Sequence, residues 1–148
     1  MVIAVDTNLL VYAHRSRAPE HEAAREALQL AAEDPDGWGI PLPCLAEFWT
    51  VVTHPRSIGR PSTPEEAAGF VRALIRSGGA TIWQAVTGFS GRLLRAAEQA
   101  SVSGARMFDL QIALLAAEAG AHEIWTHDRH FCTVPGLTLH DPIVAGRQ

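Results

Sequence analysis

The amino-acid sequence predicts an α/β protein, a three-layer α/β/α sandwich in which a parallel sheet of about five short strands lies between helices. The chain opens on an unbroken apolar run, Met1 to Val5, which is typical of a buried parallel strand. Further short apolar segments then alternate with longer helical ones, a pattern that favours right-handed crossovers. The length of 148 residues fits one domain, which we expect to span residues 1–148.

The first half of the chain predicts two strands and three helices. We expect a helix directly after the first strand and a second helix over residues 19–32, which the turn cluster at 34–37 ends. Residues 38–42 predict the second strand. Pro43 begins a helix whose apolar face repeats at i, i+3, i+4 and i+7, in Leu45, Phe48, Trp49 and Val52, until His54-Pro55 ends it.

The second half predicts three more helices and three more strands. Thr63, Pro64 and two acids mark a helix start with cap, first-position proline and acidic first turn, and this helix reaches about Arg76. Strands are expected at 80–83, 123–126 and 137–140, and helices at 86–100 and 106–119. The helix at 106–119 is apolar on more than one side, which predicts that it packs against the sheet.

Residue usage excludes several kinds of chemistry. All twelve basic residues are Arg, so the chain lacks the Lys that a P-loop or a Schiff-base enzyme requires. Cys44 and Cys132 are too far apart in sequence, with no second Cys near either, to suggest a disulfide framework or a cysteine zinc site. No apolar run is long enough to cross a membrane. Met1 to Val5 runs straight into Asp6 with no basic leader and no long apolar segment, so we expect a cytoplasmic protein with no membrane partner.

The net charge of −4 disfavours a simple electrostatic binder of nucleic acid. Acids that hold divalent cations form an exception, because the bound metal then supplies positive charge to the phosphates. The charge therefore leaves a metal-dependent nuclease open.

Two acids follow predicted strands directly. Asp6 follows the first strand and Asp128 closely follows the fourth. Taken alone, Asp6 can be a helix N-cap and Asp128 part of a surface turn. If the two strands are neighbours where the strand order reverses, both carboxylates lie in the crevice where such sheets bind ligands.

Two more acids lie on predicted helices. Glu47 is early on the helix that Pro43 begins, where a lone Glu is more often solvated. Asp109 shares its helix face with Ala105, Ala113 and Ala116, a small-residue surface that predicts a crowded, partly buried position. A carboxylate there needs a cation, because burying it without a partner costs several kcal/mol.

Gathered carboxylates suggest metal-assisted hydrolysis. Like charges at about 4 Å repel by about 4 kcal/mol even at an effective dielectric near 20, so a cation must occupy the centre. Hard oxygen ligands select Mg²⁺ or Mn²⁺. Phosphodiester hydrolysis is the chemistry that such a centre typically performs.

The motifs around these acids resemble the PIN domain, and within it the VapC-type toxin ribonucleases of bacterial toxin–antitoxin pairs. The resemblance covers nearly the whole chain and rests on four segments: Val2 to Leu10, Ala46-Glu47-Phe48, Ala105 to Asp109 with Ile112-Ala113, and Thr126 to Phe131 leading to residues 134–137 and Asp141-Pro142. It implies that Asp6, Glu47, Asp109 and Asp128 bind the metal and serve catalysis, with Asn8 and Thr126 as polar helpers. It also implies strand order 3-2-1-4-5, an RNA substrate, a cognate antitoxin and a homodimer.

The closing motif departs from many relatives at His130, where they have a second acid. We therefore expect Asp128 to act alone there, and Arg106, Arg129 and His130 to contact RNA phosphates. For the two Arg residues, simple surface solvation is an equally good interpretation. Tyr12, Phe48, Trp49 and Phe108 could stack on bases, although core packing explains most of them better.

The sequence leaves other functions open. A housekeeping PIN nuclease for RNA maturation would share the same chemistry without an antitoxin. A metal-free PIN-like module that binds RNA or protein is disfavoured because such a module has no reason to retain four repelling acids. An aspartyl-phosphate enzyme is disfavoured because those families use a Lys beside the phosphoryl group.

Overall fold

Five short strands and seven helices alternate along residues 1–57 and 59–145, the part of the chain that the computed structural model describes. The strands are β1 Ile3–Val5, β2 Trp38–Pro41, β3 Thr81–Trp83, β4 Glu123–Trp125 and β5 Thr138–His140. The helices are α1 Thr7–His14, α2 His21–Glu33, α3 Leu42–Thr53, α4 Pro64–Arg76, α5 Phe89–Gln99, α6 Arg106–Glu118 and α7 Pro142–Ala145.

The strands form a parallel sheet in the order β3-β2-β1-β4-β5. Ala4 in β1 lies between Gly39 of β2 and Ile124 of β4. Crossovers lead outward from β1 in both directions, so right-handed connections place helices on both faces of the sheet. The predicted α/β/α fold class and strand order are confirmed.

The core lies at the central strands. Every residue of β1 and β2 is buried, whereas the edge strands β3 and β5 are partly exposed. The largest fully buried apolar side chains include Phe48, Leu9, Leu10, Ile40, Leu110, Ile112, Ile124 and Ile143. The two strands β1 and β2 are therefore covered on both faces, which is the setting in which a parallel strand is typically a continuous apolar run.

Local sequence explains how the elements begin and approach one another. At the start of α4, the Glu66 N–H donates to the Thr63 hydroxyl at 3.1 Å and the Thr63 N–H donates to the Glu66 carboxylate at 2.9 Å, which completes a capping box. In β2, a Cβ on Gly39 would lie 2.4 Å from the indole of Trp83. Glycine therefore lets the Trp83 ring pass over the sheet.

Three predicted boundaries differ from the observed ones by two or three residues, and a short helix was missed. The first strand begins at Ile3 and α2 at His21, after a turn in which the His21 N–H donates to the Ala18 carbonyl. Helix α5 begins at Phe89, three residues later than predicted, because Gly88 has a φ of 86° that interrupts a helix. Helix α7 was not predicted.

None of the helices in the described residues combines the length and apolar character that a membrane crossing needs.

Candidate active site

The candidate site lies where β1 and β4 end side by side. The Asp6 N–H donates to the Trp125 carbonyl at 3.0 Å, so the backbones of the two strands stay paired up to their last residues. Asp6 follows β1 and Thr126 follows β4. Their side chains therefore emerge together at the carboxyl edge of the sheet.

Asp6 is a buried carboxylate held by several donors. One oxygen accepts from the Thr7 N–H at 2.7 Å and the other from the Thr126 hydroxyl at 2.8 Å. The Cys44 thiol is 3.7 Å from the first oxygen, and the Asn8 amide is 3.4 Å from the second. Asp6 is also the N-cap of α1, so the structural and functional interpretations coexist in this residue.

Asn8 and Thr126 connect the acid to the loop after β4. The Asn8 side-chain amide donates to the Thr126 hydroxyl at 3.0 Å, and its carbonyl oxygen accepts from the His127 N–H at 3.0 Å. The Thr126 hydroxyl also accepts from the Asp128 N–H at 3.1 Å. Through these bonds, Asn8 and Thr126 determine the position of Asp128 relative to Asp6.

The other three predicted acids lie around the same cavity as Asp6. This cavity has a volume of about 330 Å³ and includes Asp6 from the end of β1, Glu47 from α3, Asp109 from α6 and Asp128 from the loop after β4. Asp109 is half-buried and accepts from the Cys132 N–H at 3.4 Å, whereas Glu47 and Asp128 are exposed. The structure thus brings the four acids together, and we name this space the acid cavity.

Burial and mutual repulsion act on the acid cavity in the same direction. Burial is the largest influence raising the pKa of Asp6, Glu47 and Asp109. The charge of Asp109 raises the pKa of Asp6 further, the charge of Asp6 does so for Glu47, and that of Asp128 for Asp109. The hydrogen bonds from Thr126 and Thr7 oppose this increase at Asp6 but do not cancel it. A cation in the cavity would relieve the repulsion.

The four carboxylates of the acid cavity suit a hard divalent cation, although they do not surround a single point. Across the described residues, no three His, Cys, Asp or Glu side chains are close enough to hold a metal ion between them. The acids nevertheless line one cavity, and they supply the oxygen ligands that Mg²⁺ and Mn²⁺ prefer. Asp6 is fixed by its hydrogen bonds, whereas Glu47 and Asp128 are exposed side chains that can turn toward a cation.

A basic cavity adjoins the acid cavity. It has a volume of about 680 Å³, shares Asp109 and Asp128 with the acid cavity, and is also lined by Arg106, Arg129 and His130. All three of these side chains are exposed, and the backbone N–H of His130 donates to the Asp128 carboxylate at 2.9 Å. The guanidinium groups of Arg106 and Arg129 therefore lie beside two of the acids, where a phosphate could approach.

His127 is part of a different interaction. Its Nδ1 lies 2.8 Å from a carboxylate oxygen of Asp141, and its ring meets the edge of Tyr12 with centroids 6.0 Å apart. Asp141 belongs to a motif that carries the family resemblance, but its contact with His127 was not predicted. The sequence does not show this contact, because it forms only when β5 pairs with β4 and so places residue 141 beside the loop after β4.

The aromatic residues divide between core and surface. Phe48 is fully buried and stacks on Phe70 at 5.3 Å, as core packing predicts. Phe108 does not fit that prediction, because its side chain is 65% exposed beside Asp109. Its helix is apolar on more than one side, so the pattern alone could not show which apolar residue faces solvent.

The raised carboxyl pKa values predict a pH-dependent stability for the metal-free chain. Below the ordinary pKa of 3.8, protonated Asp6 contributes its full stabilisation, and this contribution is lost as the pH rises through the raised pKa. We therefore expect the Asp6→Asn variant to become more stable relative to the parent as the pH rises above about 4, because the amide does not ionise. Urea unfolding of both proteins in chelator measures this difference. Parallel pH profiles would contradict it.

One protein-family model matches most of the chain. The model described as PIN domain matches residues 3–137. Ribonuclease VapC43 of Mycobacterium tuberculosis is 40% identical over 74 residues, which is 50% of this chain and 50% of that protein. The matched part of the chain thus spans half the length of that relative. Ribonuclease VapC48 of the same species is 26% identical over 137 residues, covering 93% of this chain and 94% of that protein.

Solved structures share the fold. One chain in the crystal structure of VapBC2 from Rickettsia felis, bound to a DNA fragment from their promoter, matches 95% of this chain and 98% of its own length. The TM-score is 0.64 and the sequence identity 23%. At that identity the likeness extends to the arrangement of strands and helices.

Proposed function

The chain belongs to the PIN domain family, and on that basis we propose that it is a Mg²⁺- or Mn²⁺-dependent endoribonuclease of the VapC toxin type. The observation that carries this proposal is the convergence of Asp6, Glu47, Asp109 and Asp128 on one cavity at the carboxyl edge of the sheet. The relatives named ribonucleases support RNA as the substrate.

The four acids would hold the cation, and the reaction is hydrolysis of a phosphodiester bond. When bound, the ion lowers the pKa of the attacking water and stabilises the charge that develops at phosphorus. Asp6 presents a carboxylate oriented by Thr7 and Thr126, while Asn8 and Thr126 position the loop that carries Asp128. Four acidic ligands also explain how a chain with a net charge of −4 can act on RNA.

Arg106 and Arg129 would bind phosphates that flank the cleaved bond. Both are exposed and line the basic cavity beside Asp109 and Asp128. A guanidinium pairs well with phosphate oxygens in this setting. His130 lies in the same cavity and would contribute a further phosphate contact.

Neutralising either arginine should weaken RNA binding more than the chemical step. We expect Arg106→Gln and Arg129→Gln to raise KM with little change in kcat. Each should also make the slope of log binding constant against log salt concentration shallower by about 0.7. Cleavage rates measured over a salt series test this, with Arg95→Gln on α5 as the control at an exposed arginine away from both cavities. A fall in kcat at unchanged KM would assign these residues a different role.

An apolar groove would receive the cognate antitoxin. It has a volume of about 610 Å³ and is lined by α1, the segment before α2 and the end of α3. Val11, Tyr12 and Val51 line both this groove and the acid cavity, so a bound segment could extend an arginine toward the acids. The apolar faces of α3 and α4 are a less suitable site for a partner segment, because they pack on each other through Phe48 and Phe70. We propose the homodimer on family membership alone.

Expression of the chain in a bacterial host tests the toxin proposal. We expect growth arrest and new RNA ends soon after induction, and recovery when the small protein encoded beside the chain is co-expressed. The Asp6→Asn variant, expressed to the same level, is the control. High-level expression of the active chain without growth arrest or new RNA ends would contradict the proposal.

A further inference from the structure

An apolar cavity adjoins the acid cavity at Glu47. It has a volume of about 630 Å³ and is formed by the start of α3, the segment after β3 and one face of α6. Its lining comprises Leu42, Pro43, Ala46, Glu47, Ala85, Phe108, Gln111 and Leu115. Glu47 is the one charged side chain in this set, and we name the space the Phe108 cavity.

The Phe108 cavity is a neighbour of the acid cavity. Glu47 lines both spaces, and Phe108 immediately precedes Asp109 at the start of α6. A group bound in the Phe108 cavity therefore lies next to a ligand bound in the acid cavity. The basic cavity adjoins Asp109 and Asp128 instead, so the acid cavity has cationic groups near one edge and apolar groups near another.

Phe108 and Gln111 combine an exposed ring with a hydrogen-bonding group. The Phe108 side chain is 65% exposed. A phenyl ring that stays in contact with water contributes little to the stability of the fold. Gln111 is three residues further along the same helix, so the two side chains are neighbours on one face. Its amide carries both donors and an acceptor.

We propose that the Phe108 cavity binds one unpaired nucleobase of the RNA, adjacent to the phosphate that is cleaved. This inference rests on the proposed ribonuclease function. The base stacks on Phe108, and the Gln111 amide pairs with polar atoms on its edge, which would make this position a determinant of sequence preference.

The composition of the cavity favours a base over other parts of the RNA. Phosphates carry negative charge and would be repelled by Glu47 in an otherwise uncharged lining. Every nucleobase has a π-face that an aromatic ring can stack on, and single-stranded RNA presents such faces. The arginines of the basic cavity offer phosphates a better site.

Single-nucleotide changes in a defined substrate test this proposal. Digestion of a random-sequence RNA pool by the purified chain, followed by sequencing of the product ends, identifies the cut bond and its flanking nucleotides. Oligoribonucleotides with that sequence then carry one abasic ribose at each position near the bond. The proteins compared are the parent, Phe108→Ala, Phe108→Tyr, Gln111→Leu and the control Leu94→Ala, which removes a side chain that is 60% exposed on α5.

We expect one abasic position to reduce kcat/KM of the parent by about 10- to 100-fold, the range that loss of one stacked base produces. On the intact substrate, the kcat/KM of Phe108→Ala should be lower than that of the parent by the same factor, and the abasic change should lower it little further. Phe108→Tyr and Leu94→Ala should behave like the parent. Gln111→Leu should lose discrimination among bases at that position.

Separate outcomes would overturn the inference and the function beneath it. If the parent cuts RNA and Phe108→Ala cuts equally well with unchanged base preference, the base-binding inference is wrong while the ribonuclease stands. A dimeric parent that cuts the abasic substrates as fast as the intact one, and whose Phe108→Ala variant is monomeric in light scattering, would instead show an interface between copies. A parent that cuts no RNA would overturn both.

Discussion

Replacing Asp6 with Asn should abolish RNA cleavage and leave the fold intact. The change removes one full negative charge from the acid cavity while keeping the size of the side chain. The remaining carbonyl oxygen can still accept from the Thr7 N–H, which preserves the N-cap of α1. Changes to residues that merely support metal ligands cost about 10- to 100-fold, so loss of a ligand should cost at least about 100-fold.

The comparison requires folded protein and a matched acid elsewhere. Circular dichroism and urea unfolding establish that Asp6→Asn is folded, and single-turnover cleavage in Mn²⁺ gives the rate. Asp36→Asn is the control, because Asp36 is an exposed acid that pairs with the N-terminal ammonium before β1 and β2, whereas the acid cavity lies at the carboxyl edge of the sheet. Equal cleavage by Asp6→Asn and the parent in the same metal would remove Asp6 from the proposed site.

Asp128→Asn should be nearly as damaging as Asp6→Asn, whereas His130→Ala should leave metal binding almost unchanged. Asp128 lines the acid cavity, whereas His130 lines the basic cavity and is not among the residues that line the acid cavity. The hydrogen bond that His130 makes to Asp128 comes from its backbone N–H and therefore survives the change to Ala. The loss in His130→Ala should accordingly appear in KM for RNA.

Calorimetric titration with Mn²⁺ and cleavage kinetics separate these two roles. Restoring an acid with His130→Asp should tighten the binding of a second metal ion, because it adds an oxygen ligand beside Asp128. Leu94→Ala provides a control at a distant exposed position. If His130→Ala loses metal while Asp128→Asn retains it, the two residues have the opposite roles.

Much of this fold could be predicted because local sequence and long-range packing agree. The apolar run before Asp6 predicts a buried strand, and β1 is buried throughout. Thr63 and Glu66 predict the start of α4, and their capping box is present. In both cases the signal is local, so neighbouring residues are sufficient to determine the structure.

The features that escaped prediction depend on contacts distant in sequence. The Cys44 thiol lies 3.7 Å from Asp6, and His127 meets Asp141, but no spacing rule joins these pairs. Phe108 looks like a core residue in a helix that is apolar on several sides, and only the packed structure shows its exposure. That Asp6 and Asp128 would line one cavity follows from strand order, whereas the approach of Glu47 from α3 and Asp109 from α6 does not.

Metal add-back to the purified chain tests the central proposal most directly. RNA incubated with the chain in chelator should stay intact, and addition of excess Mg²⁺ or Mn²⁺ should restore cleavage at defined bonds. The same additions should give no cleavage with Asp6→Asn prepared in parallel. RNA cleavage by the parent at an undiminished rate in chelator, or equal cleavage by both proteins after metal addition, would contradict a metal-dependent ribonuclease centred on Asp6, Glu47, Asp109 and Asp128.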